Sequence, residues 1–170
     1  YADLDDARTR MKILTKAVSD HLIAQIDAGC DTVQIFDSWA ALCPMALQKD
    51  FIIDPAAEIV DRIRRKRPEA GIIAFPKSFA DQNVYQNVVK PDAIGMDQFT
   101  SLNELKSRKV IAQGNLDPLA LMTGGAVLDE AVDQILLAMN GKAHIFNLGH
   151  GIHKETPPDH VTQLVKRIRA

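Results

Sequence analysis

Cysteine is scarce in this chain. Its two cysteines, Cys30 and Cys43, form neither a CxxC pair nor any other metal-ligand spacing. That argues against a disulfide scaffold and a thiolate zinc site, and fits a reduced, cytoplasmic protein. Long apolar runs are also missing. Nothing approaches the roughly 20 residues needed to span a bilayer, so no membrane partner is expected. No signal peptide is visible. Neither sign of charge dominates: the net charge of -2 gives no bulk attraction to nucleic acid. The one dense basic run, Arg64-Arg65-Lys66-Arg67, reads as a helix C-terminus complementing its dipole. No GxGxxG loop follows any expected strand, which weakens a dinucleotide-binding sheet. None of the five histidines has the i, i+4 partner of a helical metal site, and no metal ligand is assigned.

The composition that remains is that of an ordinary soluble globular domain, 46% hydrophobic and 25% charged over 170 residues. The chain opens with Tyr1 and enters a helical pattern almost at once, as a piece of a longer protein would. From Met11 the apolar stripe Leu14, Val18, Leu22, Ile26 predicts a helix ended by Gly29. Asp31 to Asp37 reads as a strand. Asp54 and Pro55 read as the N-cap and first turn of a helix with the stripe Ile59, Val60, Ile63. Strand Gly71 to Phe75, helix Asn83 to Lys90, strand Ala93 to Met96 and helix Ser101 to Ser107 follow. Strand Lys109 to Gln113 runs into Gly114-Asn115-Leu116-Asp117-Pro118, and helix Val127 to Met139 precedes a strand ending at Phe146. Thr156, Pro157 and Asp159 suggest a capping box for the last helix.

Five strands alternating with helices imply parallel strands joined by crossover helices. Each strand ends in polar residues: Asp37, Lys77 just past Phe75, Asp97, Asn115 and His150. Chemistry collected at strand C-termini is the habit of a (β/α)8 barrel. Five βα units leave about three to be supplied. The fold expected is therefore α/β, part of a TIM-type barrel.

The most informative stretch is Phe146-Asn147-Leu148-Gly149-His150-Gly151. Glycines on both sides of His150 remove side chains and permit unusual backbone angles. They present one imidazole, able to donate or accept, at a strand end. Ser38, just past Asp37, either donates to a ligand carboxylate or caps the next helix. Asp97 and Asp117 read as caps before general bases. Lys77 invites a Schiff-base reading, but its neighbours Ser78, Asp81 and Gln82 are polar. His21, His153 and His160 read as structural or solvated, and His144 as a satisfied core or edge residue.

Three segments taken together carry a family resemblance: Gln34-Ile35-Phe36-Asp37-Ser38-Trp39-Ala40, Gln113-Gly114-Asn115-Leu116-Asp117-Pro118 and Asn147-Leu148-Gly149-His150-Gly151-Ile152. In order and separation they closely resemble uroporphyrinogen decarboxylase, and Thr156 to Val161 looks like the start of that family's last helix. The resemblance implies a (β/α)8 barrel that removes the four acetate carboxyl groups of uroporphyrinogen III to give coproporphyrinogen III in heme biosynthesis. It implies no metal or organic cofactor, and a homodimer. The tetrapyrrole substrate carries eight carboxylates, and two substrate-binding positions carry over, onto Ser38 and His150. The family's arginine-rich segment, central aspartate and substrate-binding tyrosine match nothing here. Residues 1–170 therefore look like the C-terminal portion of one barrel domain, with no catalytic residue in this chain. Ala41 departs from the glycine usual in the family.

Three other readings carry less weight. A zinc- and cobamide-dependent methyltransferase of the same barrel needs thiolates where Ala74-Phe75-Pro76-Lys77 and Leu148-Gly149-His150-Gly151 stand. The others are a non-catalytic tetrapyrrole-binding module and a Lys77-dependent aldolase.

Overall fold

The computed structural model describes residues 3–170, so Tyr1 lies outside the described residues. The chain divides into two compact units, one ending at Ile94 and the other Gly95–Ala170.

The first unit opens with helix α1, Leu4–Asp27. It starts seven residues before the expected Met11. Asp3 caps it by accepting from Asp6 N–H at 2.9 Å, and Arg10 pairs with Asp6 at 2.6 Å. These first two turns are polar, so they carry no apolar period to read. Gly29 then leaves the helix at φ 111°, as expected of a C′ residue. The buried face is Thr15, Ser19, Leu22 and Ile23, rather than the stripe through Leu14 and Val18. Ser19 meets burial by donating to the Thr15 carbonyl at 2.6 Å.

Strand β1, Thr32–Asp37, lies parallel to β2, Gly71–Pro76, in register from Thr32 against Gly71 to Asp37 against Pro76. Between them stand two 3₁₀ turns, Ala40–Leu42 and Met45–Leu47, and a π-helical turn, Lys49–Ile53, that runs into α2, Asp54–Lys66. Because the chain is already helical before it, Asp54 is not a cap; it pairs with Lys49 at 2.5 Å. The α2 stripe, Ile59, Val60 and Ile63, is buried as expected. The basic run ends that helix, with Arg64 on Asp92 and Arg67 on Asp27, each at 2.5 Å. Helix α3, Gln82–Val89, is capped by Asp81. The short β3, Ala93–Gly95, pairs parallel to β2 through Ala93 and Ile94.

In the second unit, α4 spans Leu102–Ser107 with a full Ser101–Glu104 capping box. Strand β4, Ile111–Leu116, and β5, His144–Leu148, are parallel, in register from Ala112 against His144 to Leu116 against Leu148. Just past β3, Met96 N–H donates to the Gln113 carbonyl at 2.8 Å. Both strands end later than expected, so Asn115 and Asn147 are strand residues facing each other in register. Helix α5, Pro118–Thr123, was not anticipated, and α6 spans Gly125–Ala138. The last helix, α7, is Pro158–Ile168 with Pro157 at its cap position. The Thr156 capping box does not form, because the helix starts too late; the Thr156 hydroxyl is buried without a partner. Leu116, Leu121, Leu128 and Val132 form the core of this unit.

Each of these three strand pairs is parallel, and helix lies between its two strands. That is an α/β fold of successive βα units.

Candidate functional site

At the tip of β1, burial pushes the Asp37 carboxyl above its usual range, opposed by a hydrogen bond from the Trp39 backbone N–H. The Cys43 thiol is raised as well, first by burial and then by the Asp37 charge. Ser38 is exposed, and among the described residues its hydroxyl has no hydrogen-bond partner. The 3₁₀ turn that follows has no side-chain cap, so the capping role is excluded and the donor is free. Around it the sequence reading missed an apolar rim: Phe36 is 68% exposed, Trp39 74% and Met45 86%. Their apolar character was legible, but their exposure was not.

The tip of β5 is built differently from expectation. Neither Gly149 nor Gly151 adopts a positive φ. Gly149 is needed for close approach. A Cβ there would overlap the Gln98 backbone nitrogen and stand 2.8 Å from the Asp97 carbonyl carbon. Gly151 faces open space. Gly149 N–H donates to the Leu116 carbonyl at 2.7 Å, which ties the tip of β5 to β4. His150 follows, exposed and without a hydrogen-bond partner among the described residues.

The turn beneath Gly149 is well tied. Asp97 is buried and its carboxylate accepts from Phe99 N–H at 3.1 Å and the Thr100 hydroxyl at 3.3 Å. Asn115, 6% exposed, donates through Nδ2 to the carbonyls of Asp97 at 3.0 Å and Thr100 at 2.7 Å. Asp97 is thus a turn-former. Asp117 caps α5 by accepting from Leu119 N–H at 2.9 Å. Gly114, at φ 129°, presses on Met96, whose carbonyl oxygen a side chain would overlap.

Most of the remaining candidates make structural contacts. His144 is half-buried with Nε2 2.6 Å from the Gly114 carbonyl, and burial lowers its pKa against that hydrogen bond. His160 Nδ1 lies 3.0 Å from the Leu121 carbonyl. Tyr85 is fully buried against Phe79, and burial pushes its phenol well above the usual range. Lys77 is half-buried, its backbone N–H donating to the Asp37 carbonyl at 3.1 Å. Both cysteines are free. Among the described residues, no three His, Cys, Asp or Glu side chains gather into a metal-holding group. No helix there is long and apolar enough to cross a membrane.

The family described as uroporphyrinogen decarboxylase (URO-D) matches residues 1–170. The chain belongs to the uroporphyrinogen decarboxylase family. Uroporphyrinogen decarboxylase of Acidiphilium cryptum is 41% identical over 174 residues, covering 100% of this chain and 49% of that protein. The enzyme of Sphingopyxis alaskensis is 44% identical over 153 residues, covering 88% of this chain and 45% of its own length. The chain therefore spans about half the length of its curated relatives. A solved structure from Listeria monocytogenes, assigned by name to the vitamin-B12-independent methionine synthases, superposes with a TM-score of 0.64 at 17% identity, covering 98% of this chain and 55% of its own. At that identity the likeness shows the fold alone. For a member of the uroporphyrinogen decarboxylase family, the five parallel strands are consecutive units of its TIM barrel. Its three motif segments fall on the ends of β1, β4 and β5.

Proposed function

We propose that residues 1–170 are the C-terminal portion of the single barrel domain of a uroporphyrinogen decarboxylase. The full protein removes four acetate carboxyl groups from uroporphyrinogen III to give coproporphyrinogen III, in the cytoplasm, as a homodimer and without metal or organic cofactor. What carries this reading is the family match along the whole chain, with relatives about twice its length.

Within this portion Ser38 and His150 are the substrate-binding residues. Each is an exposed donor without a protein partner, placed just past a strand end. A hydroxyl and an imidazole N–H are suited to the carboxylates of an eightfold acidic substrate. The apolar rim of Phe36, Trp39 and Met45 beside Ser38 suits a macrocycle with apolar faces. Proton delivery to the pyrrole carbon is assigned to groups outside this chain, since the family's arginine segment and aspartate have no match here.

The test is kinetic, in the full-length protein. A hydrogen bond to a charged group is worth about 1.5–3 kcal/mol, so Ser38→Ala and His150→Ala each raise KM for uroporphyrinogen roughly tenfold or more. Unchanged KM in both removes the two residues from the site. Turnover by the 170-residue chain alone overturns its assignment as an incomplete site.

A further inference from the structure

One buried side chain has no place in the reading above, yet the tip of β5 depends on it. Asn115 sits next to last in β4, and its Nδ2 bridges two carbonyls, Asp97 at 3.0 Å and Thr100 at 2.7 Å. Those carbonyls are the two ends of one turn, already closed by Thr100 N–H donating to Asp97 at 3.1 Å. The Asp97 carboxylate gathers the middle of the same turn from Phe99 N–H and Thr100. The amide therefore fixes the turn from outside. Its own Oδ1 is buried and unpartnered.

The Asp97–Gln98 peptide of this turn is the surface on which Gly149 rests, so closely that no side chain fits between them. The next residue is His150. Its imidazole has no hydrogen bond of its own to orient it. Its position is thus set through the backbone of Gly149, held on one side by the Leu116 carbonyl and on the other by the turn.

We propose that Asn115 is a positioning residue for His150. By tying both ends of the 97–100 turn it fixes the platform under Gly149, and so fixes where the imidazole meets an anionic ligand. The proposal rests on the reading of His150 as a donor to substrate carboxylates. Misplacement of a binding group by about an ångström is enough to weaken a well-aligned contact.

The experiment uses the full-length protein with isotope-labelled histidine. In Asn115→Ala the ligand-free His150 ring resonance shifts or broadens, while that of His21, on α1, stays in place. KM for uroporphyrinogen rises roughly tenfold with kcat little changed. The Asn115→Ala, His150→Ala double variant has a KM no higher than His150→Ala alone, because both act through one imidazole. Thr100→Ala, which loosens the same turn from the side chain, moves the same readouts less and serves if Asn115→Ala does not fold. An unmoved His150 resonance, or additive KM effects, overturns the proposal. If the wild-type protein does not turn over uroporphyrinogen, the functional reading fails, and the resonance measurement still decides the positioning role.

Discussion

Replacing Gly149 by alanine isolates the close approach that shapes the tip of β5. The added methyl would overlap the Gln98 nitrogen and crowd the Asp97 carbonyl carbon at 2.8 Å. Both atoms are backbone, held by the Asn115 and Asp97 hydrogen bonds, so neither can swing aside as a side-chain end would. Overpacking of this kind costs about 1–3 kcal/mol. The reduced entropy of the unfolded chain returns about 0.4–1 kcal/mol. The net loss is about 1–2 kcal/mol, a melting-temperature fall of roughly 2–8 °C for a chain of this size. Gly151→Ala is the matched control: its methyl would meet nothing within 4 Å, and its φ is not in the left-handed region. That substitution is neutral, or stabilising by up to about 1 kcal/mol. Thermal unfolding followed by circular dichroism on both variants decides the matter. Equal melting temperatures for the two variants would refute the close-approach argument.

Asp92→Ala costs about 1–3 kcal/mol, because the Asp92 carboxylate accepts from the fully buried Ile72 backbone N–H at 2.7 Å. Arg64→Ala removes the partly exposed ion pair on the same carboxylate and a hydrogen bond to the Ala70 carbonyl at 2.8 Å but leaves the Ile72 N–H paired, so it costs about 1–2 kcal/mol, and urea titration compares the two variants. Ser101→Ala removes the capping box of α4 and costs about 1 kcal/mol by the same titration. His144 has a lowered pKa in the folded chain, so the unfolded chain binds the proton more readily. Stability is therefore lost as pH falls below the ordinary histidine range, and His144→Gln flattens that part of the stability profile. Asp37 has the opposite sense: its raised carboxyl pKa means stability is lost as pH rises from the ordinary carboxylate range through the folded value. Asp37→Asn makes the chain more stable at pH 7 than the parent, measured by melting across pH 3 to 7.

The α/β alternation was legible because each helix and strand carries its own period. Ile59, Val60 and Ile63 mark α2 by spacing alone, and they are buried in the structure. Periodicity failed where the burial was polar or the segment was short. The buried face of α1 includes Thr15 and Ser19 beside Leu22 and Ile23, and no apolar stripe announces those two polar positions. The ends of β4 and β5 were set too early because Gly114, Asn115 and Asn147 resemble a loop, while strand pairing carries them onward as ladder residues.

The motifs that point to the uroporphyrinogen decarboxylase family are short stretches of local sequence, so residue order alone was enough to put Ser38 and His150 forward as candidates. Their surroundings come from residues distant in the chain. Gly149 was read as a residue without a side chain that permits unusual backbone angles, but its reason is a peptide bond some fifty positions earlier, at Gln98. Asn115 was one polar strand end among five, until the fold placed Asp97 and Thr100 within reach of its amide. Sequence carries the chemistry of each side chain and its local period. Only the tertiary structure could decide exposure, close approach and hydrogen-bond partners, because each depends on which distant backbone the chain brings alongside.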